Sequence, residues 1–122
     1  MDPASVLVVE DDADLREGVI ALLESEGLTA AGARDGHEAL RLLCERPVPA
    51  VILLDLTMPR MDGWRFRVQQ VRDPRFAQIP VIIFSGHWNV REAAGILGAA
   101  AVVTKPPDVD KLLTAIEQVA LH

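Results

Sequence analysis

The feature of this sequence that most restricts its fold is the alternation of short apolar runs with longer segments of helical periodicity. Four runs are too short for a typical helix and apolar throughout, as strands are in a parallel sheet covered on both faces. They are Val6–Val9, Val51–Leu54, Val81–Phe84 and Ala101–Val103. We predict four buried strands here, and a fifth at Leu28–Ala33, at an edge because alanine and glycine are poor strand formers.

The segments between these runs repeat apolar residues at helical spacing. Asp12 is a candidate N-cap for the first helix, and Asp35 with Glu38 resembles a capping box that opens the second. The apolar faces of four helices are Leu15, Val19, Leu22 and Leu23; Ala39, Leu42 and Leu43; Val90, Ala93, Ala94 and Leu97; and Val109, Leu112, Leu113, Ile116 and Val119. A metal-shell role for Asp12 stays open beside the capping role.

Two further predictions concern single positions. A helix after the MDG motif is predicted to turn Trp64, Val68 and Val71 inward. Cys44, the one cysteine, can form no internal disulfide and is predicted to occupy a packed helix position.

Five strand–helix pairs in strict alternation predict an α/β sandwich, with a mostly parallel sheet, helices on both faces and right-handed crossovers. The 122 residues suit one domain spanning 1–122. A net charge of −6 argues against direct nucleic acid binding and against attraction to an anionic membrane. Neither a signal peptide nor a membrane-spanning run is apparent, so we expect a cytoplasmic protein.

Polar residues end four of the predicted strands. Glu10 and Asp11 follow the first, Asp55 follows the third, and Ser85 and Lys105 follow the fourth and fifth. Because the carboxyl ends of parallel strands lie along one edge of a sheet, we expect these side chains to converge there. Crowded carboxylates repel one another, so they either take up protons or hold a cation.

Four segments carry a resemblance to a known family. VVEDDADLR, LLDLTMPRMDG, FSG and TKPP resemble, in order and spacing, the signature segments of the two-component response-regulator receiver domain, including single-domain chemotaxis regulators. The resemblance implies a flavodoxin-like (βα)5 doubly wound sandwich whose five-stranded parallel sheet has the order 2-1-3-4-5. It also implies a phosphorylation-controlled receiver that a histidine kinase or phosphorelay donor phosphorylates, and that signals to a downstream protein partner or fused output domain.

The same resemblance assigns roles to individual residues. It makes Asp55 the phosphoacceptor, with Ser85 and Lys105 binding the phosphoryl group. Mg²⁺ would be held by Asp11, by Asp55 and by the backbone carbonyl of Thr57, with Glu10 acting through water. Mg²⁺ suits such an oxygen-only site, since it prefers oxygen ligands and retains several waters.

Other positions depart from the family or modify it. Val102 stands where receivers often carry a tyrosine or phenylalanine that moves in the switch, so an aromatic switch is in doubt. The resemblance makes Thr57 and His87 modulators of acyl-phosphate hydrolysis, and makes Pro106 a candidate for a cis peptide bond. Two roles are open for Trp88: it covers its own helix, or it forms with His87 a surface whose exposure changes with the switch.

Two alternatives belong to other functional classes. A haloacid-dehalogenase-type phosphohydrolase also combines an aspartate nucleophile with a lysine and Mg²⁺, but it has a second aspartate two residues later, where Thr57 stands here. A pseudo-receiver that only binds protein would be expected to lack one of the central groups. We therefore expect a signalling protein that accepts a phosphoryl group on its own aspartate and is not a turnover enzyme.

Overall fold

In the part of the chain that the structure describes, five strands and five helices alternate strictly and form an α/β sandwich. A computed structural model describes residues 2–56, 63–86, 90–105 and 108–120. The strands are β1 (Asp2–Val9), β2 (Thr29–Ala33), β3 (Pro49–Leu54), β4 (Val81–Ser85) and β5 (Ala101–Thr104). The helices are α1 (Ala13–Ser25), α2 (Gly36–Glu45), α3 (Gly63–Arg72), α4 (Val90–Leu97) and α5 (Val109–Ala120).

All strand pairs are parallel, and the order across the sheet is β2-β1-β3-β4-β5. This confirms the predicted flavodoxin-like topology and places β2 at an edge, as its alanine-rich sequence indicated. β3 and β4 lie inside the sheet, and every residue of both is buried.

The core forms two layers because consecutive residues of a strand face opposite sides of the sheet. Leu7 and Val9 pack with α2 and α3 on one side, whereas Val6 and Val8 pack with α1 and α5 on the other. Leu97 of α4 joins the first layer. The predicted apolar faces of α1 and α2 contribute to these layers, and so does that of α5 except for Val109, which was predicted to face inward but is exposed.

Both predicted helix caps are present. The Asp12 carboxylate accepts a hydrogen bond from the Leu15 amide at 3.1 Å, and that of Asp35 accepts one from the Glu38 amide at 2.9 Å. The Glu38 carboxylate reaches back one residue further than a standard capping box, to the amide of Arg34 at 3.1 Å. Local sequence therefore fixes where α1 and α2 begin.

The predicted orientation of α3 is wrong. Trp64, Val68 and Val71 are exposed, and Gly63, Phe66 and Gln70 form the buried face of this helix. Phe66 is fully buried in the core, and one helix cannot turn both Phe66 and the other apolar face inward.

The prediction for Cys44 is also wrong, because its side chain is exposed. The inward face of α2 is taken by Ala39, Leu42 and Leu43, and Cys44 follows one residue beyond that face. Of the predicted inward face of α4, the side chains of Val90, Ala93 and Ala94 lie outside the described part of the chain.

Two polar side chains, the buried Gln70 and the half-buried Arg67, tie α3 to its surroundings. The Gln70 amide donates to the carbonyls of Phe76 and Ile79 at 2.9 and 3.0 Å. Arg67 donates to the carbonyl of Leu97 at 3.0 Å and to Gln70 at 2.8 Å. Arg67 thus satisfies a carbonyl at the end of α4, which has no partner within its own helix.

Candidate functional site

Backbone hydrogen bonds at the strand ends bring the predicted site residues to one edge of the sheet. The Asp55 amide donates to the carbonyl of Val9 at 3.0 Å, which sets Asp55 beside Glu10. The Lys105 amide donates in the same way to the carbonyl of Ser85 at 3.0 Å. These hydrogen bonds hold each strand end against a neighbouring strand. They thereby fix the positions of the Asp55 and Lys105 side chains at the edge of the sheet.

The resulting cleft has a volume of about 430 Å³ and brings the predicted groups together. Its lining consists of Glu10, Asp11, Asp12, Asp55, Ser85, Gly86 and Lys105. Glu10, Asp55 and Ser85 are buried in its floor, whereas Asp11 is exposed at its rim. These residues are up to 95 positions apart in the sequence, and only the parallel sheet makes them neighbours.

Lys105 is the cation among these acids. Its Nζ forms an ion pair with Glu10 Oε1 and lies 3.4 Å from Asp55 Oδ2. It also lies 5.2 Å from the centroid of the Phe84 ring, within the range of a cation–π interaction. The ammonium group is thus held between two carboxylates and above an aromatic face.

Burial and neighbouring charges shift the pKa values of two side chains in the cleft, Glu10 and Lys105. Burial raises the pKa of Glu10 to about 7, although its contact with Lys105 opposes the shift. For Lys105, burial alone would lower the pKa, but the hydrogen bond to Glu10 and the charge of Asp55 outweigh it and raise the pKa. When ionised, the three carboxylates of Glu10, Asp11 and Asp55 exceed the single positive charge of Lys105.

The donor set fits a divalent cation. Glu10, Asp11 and Asp55 each offer a carboxylate oxygen, and these atoms all lie within 4.8 Å of one another. An all-oxygen set at one open cleft is the kind of site that Mg²⁺ occupies. The Asp12 carboxylate caps α1, which is one of the two roles that the sequence left open, and the Asp12 backbone amide donates to Glu10 Oε2 at 3.2 Å.

Two residues at the site were not singled out for it from the sequence. Arg16 donates to the carbonyl of Glu10 at 2.8 Å and so fixes the end of β1 from within α1. Gly63 packs on the backbone after β3, where an added Cβ would lie 2.4 Å from the Asp55 carbonyl oxygen. A signal for Gly63 existed in the MDG motif, but that motif indicates a turn and not this close approach.

Some predicted residues lie outside the described part of the chain. These are Thr57, His87, Trp88 and Pro106, so their predicted roles stay predictions. Val102 is half-buried and packs against the core layer that contains α2 and α3. A valine at this position can pack, but its short branched side chain cannot swing as a ring does.

Comparison with known proteins identifies the family. Residues 6–117 match the family described as "Response regulator receiver domain". A putative NtrX-like response regulator from Rickettsia bellii is 36% identical over 97% of this chain. The match covers 25% of that relative, so this chain spans about a quarter of its length. The chain belongs to the response-regulator receiver domain family, whose members are modules of two-component signalling rather than classical enzymes.

Solved structures agree with this assignment. A response regulator receiver protein from Pseudomonas putida is 33% identical, has a TM-score of 0.85, and matches over 93% of this chain and 95% of its own. Chemotaxis response regulator CheY4 of Vibrio cholerae is 26% identical with a TM-score of 0.84, over 94% of this chain and 97% of its own. No helix in the described ranges combines the length and apolarity needed to cross a membrane.

Proposed function

We propose that this receiver accepts a phosphoryl group on Asp55 from a histidine kinase or phosphorelay donor, with Mg²⁺ as cofactor. Phosphorylation would then alter its surface for a downstream protein partner or a fused output domain. The observation that carries the proposal is the cleft in which Lys105 faces Glu10 and Asp55, with Asp11 at the rim and Ser85 in the floor. The pseudo-receiver alternative would be expected to lack one of these groups, and the family match argues against the haloacid-dehalogenase alternative.

The chemistry follows from the charges of these side chains. A carboxylate oxygen of Asp55 attacks phosphorus, the new oxygen–phosphorus bond forms, and the bond to the donor nitrogen breaks. Lys105 places a positive charge where the phosphoryl oxygens arrive, and the Ser85 hydroxyl offers them a hydrogen bond. Mg²⁺, when bound, supplies the remaining neutralisation of negative charge. Positioning and charge account for most of the catalysis of such a transfer.

The predicted ligand set for Mg²⁺ follows from the same cleft. By the family resemblance, Asp11 and Asp55 would bind directly and Glu10 through water, and the carboxylate oxygens of all three lie within 4.8 Å of one another. The family resemblance adds the backbone carbonyl of Thr57 as a further ligand. The same resemblance makes Thr57 and His87 candidates for setting the rate at which the protein hydrolyses its own acyl phosphate.

Incubation with acetyl phosphate and Mg²⁺ tests the proposal. We expect stoichiometric labelling that is sensitive to hydroxylamine, and we expect Asp55→Asn to abolish it. Asp11→Ala should abolish the dependence on Mg²⁺ together with most of the labelling. Asp14→Asn, an exposed acid on α1 outside the cleft, is the matched control and should be labelled as the wild type is.

Each other outcome points to another reading. Absence of labelling in the folded wild type would favour a pseudo-receiver. Continuous release of phosphate without a stable label would favour a phosphohydrolase. Labelling that survives in Asp55→Asn at the same site would refute Asp55 as the phosphoacceptor.

A further inference from the structure

An exposed apolar stripe runs along α3. Trp64, Val68 and Val71 have exposed fractions of 38%, 42% and 45%, and they follow one another at helical spacing. The buried face of α3 belongs to Phe66 and Gln70, so the core has no place for this second apolar face. Three large apolar residues in one row on a ten-residue helix are a patch rather than scattered exposure.

The stripe includes a shallow depression beside the tryptophan. The depression has a volume of about 350 Å³ and is lined by Trp64, Arg65, Val68 and Gln69. The indole of Trp64 offers a large apolar contact surface, and an apolar side chain of a partner can fill the depression beside it. Tryptophan and arginine are also the residues that most often dominate interfaces.

The charge around the stripe is opposite to that of the whole chain. Residues 63–76 contain four arginines and one acid, in a chain whose net charge is −6. Arg67 and Arg75 are engaged within the fold, with the end of α4 and with Asp73 respectively. Arg65, which also has a partner in the fold, and Arg72 are exposed along one side of the stripe, and Arg67 lies along its other side. The surface of α3 is thus apolar along its middle and basic at its sides.

We infer that this α3 stripe, formed by Trp64, Val68 and Val71, with Arg65 and Arg72 along one side and Arg67 along the other, docks an acidic amphipathic helix of a protein partner. An apolar row with basic sides is complementary to a helix that carries leucine-type residues on one face and carboxylates beside them. This inference goes beyond phosphorylation at Asp55 and does not depend on it.

Two other occupants fit the stripe less well. A second copy of this chain, packed symmetrically on the same face, would bring Arg65 and Arg72 towards their own equivalents. Like charges placed against each other in an interface cost several kcal/mol. An anionic membrane would meet the overall negative charge of the chain, and three apolar residues on a short helix give little area for insertion.

Two synthetic peptides of about 18 residues, long enough to form a helix, test the inference. They share one leucine face and differ only in carrying glutamate or lysine on the flanking positions. Binding is measured by calorimetry and by the fluorescence of Trp64 in the 122-residue protein with Trp88→Phe. We expect the glutamate peptide to bind at least tenfold more tightly than the lysine peptide, and its affinity to fall as salt is added.

Variants separate the apolar and the basic parts of the surface. Trp64→Ala and Arg72→Glu should each weaken binding of the glutamate peptide by at least fivefold. Lys111→Glu, which makes the same change of charge at an exposed position on α5, should alter the affinity by less than twofold. Circular dichroism spectra that match the wild type establish that each variant is folded.

Several results would overturn the inference. These are equal binding of the two peptides, binding of neither, or an affinity that Trp64→Ala leaves unchanged. Tighter binding to vesicles of phosphatidylserine and phosphatidylcholine than to the glutamate peptide would assign the stripe to a membrane. A dimer in sedimentation analysis that Val68→Ser dissolves would assign it to a second copy of the chain.

Discussion

Replacing Gly63 by alanine tests how tightly α3 is set against the phosphoacceptor strand. The Gly63 amide donates to the carbonyl of Leu56 at 3.0 Å, so the first residue of α3 sits directly on the chain after β3. An added Cβ would lie 2.4 Å from the Asp55 carbonyl oxygen and 2.6 Å from the Leu56 Cα. Both atoms belong to the backbone, so no flexible side chain can move away to make room.

The size of the effect follows from these distances. Ordinary contact begins near 3.4 Å, so Asp55 or the start of α3 must move by about 1 Å. Forcing an extra carbon into a packed site costs about 1–3 kcal/mol. A displacement of about 1 Å at a reacting group costs about 100-fold in rate. We therefore expect Gly63→Ala to lose about 100-fold in phosphorylation rate, equivalent to about 2.7 kcal/mol, together with about 1–3 kcal/mol of stability.

Urea denaturation and the initial rate of labelling by acetyl phosphate with Mg²⁺ measure the two effects separately. Gly18→Ala in α1 is the matched control, because its Cβ would meet no atom within 4 Å. That control should keep the wild-type rate and gain up to about 1 kcal/mol of stability from the lower entropy of the unfolded chain. A Gly63→Ala protein phosphorylated at the wild-type rate would refute the close packing of α3 on Asp55.

Two further predictions concern charged residues. The pKa of Glu10 is raised to about 7 without metal. Between about pH 4.5 and 7 the native state therefore binds more protons than the unfolded state. The free energy of unfolding then falls as the pH rises through this window. Glu10→Gln should remove this fall in stability, which is worth at most about 3 kcal/mol. Urea denaturation in EDTA at pH 5 and pH 8 measures it, and the same pH dependence in both proteins would contradict the prediction. Arg67→Ala should reduce the free energy of unfolding by about 1–3 kcal/mol because it leaves the Leu97 carbonyl at the end of α4 without its donor. The exposed Arg72→Ala, on the same helix, should cost less than about 1 kcal/mol, and equal losses in the two variants would argue against the contact between α3 and α4.

The sequence alone determined the fold and the meeting of the site residues. Continuous apolar runs require strands covered on both faces, and their alternation with helices requires a parallel sheet. Since parallel strands end at one edge, Asp55 and Lys105 were predicted to lie at the same edge of the sheet, and the family resemblance supplied the strand order that brings them close. The caps at Asp12 and Asp35 were predictable for a similar reason, because a cap depends on residues within one turn of the chain.

Only the tertiary structure decided which of two apolar faces of α3 is buried. The spacing of Trp64, Val68 and Val71 satisfies helical periodicity as well as a core face does, but periodicity does not say which side meets the sheet. Phe66 fills the core because the space between α2 and the sheet accepts it, and that space is made by residues distant in sequence.

The same reason holds for the residues that support the site. Arg16 reaches the carbonyl of Glu10, and Arg67 reaches the end of α4 across 30 positions of sequence, each through a contact that no local pattern encodes. The MDG motif predicts that Gly63 is a turn residue. In the structure its missing side chain lets the start of α3 approach the backbone of Asp55 and Leu56. Local periodicity and strand ends are properties of short segments, whereas such contacts depend on how separate segments pack, and they exist only once the chain has folded.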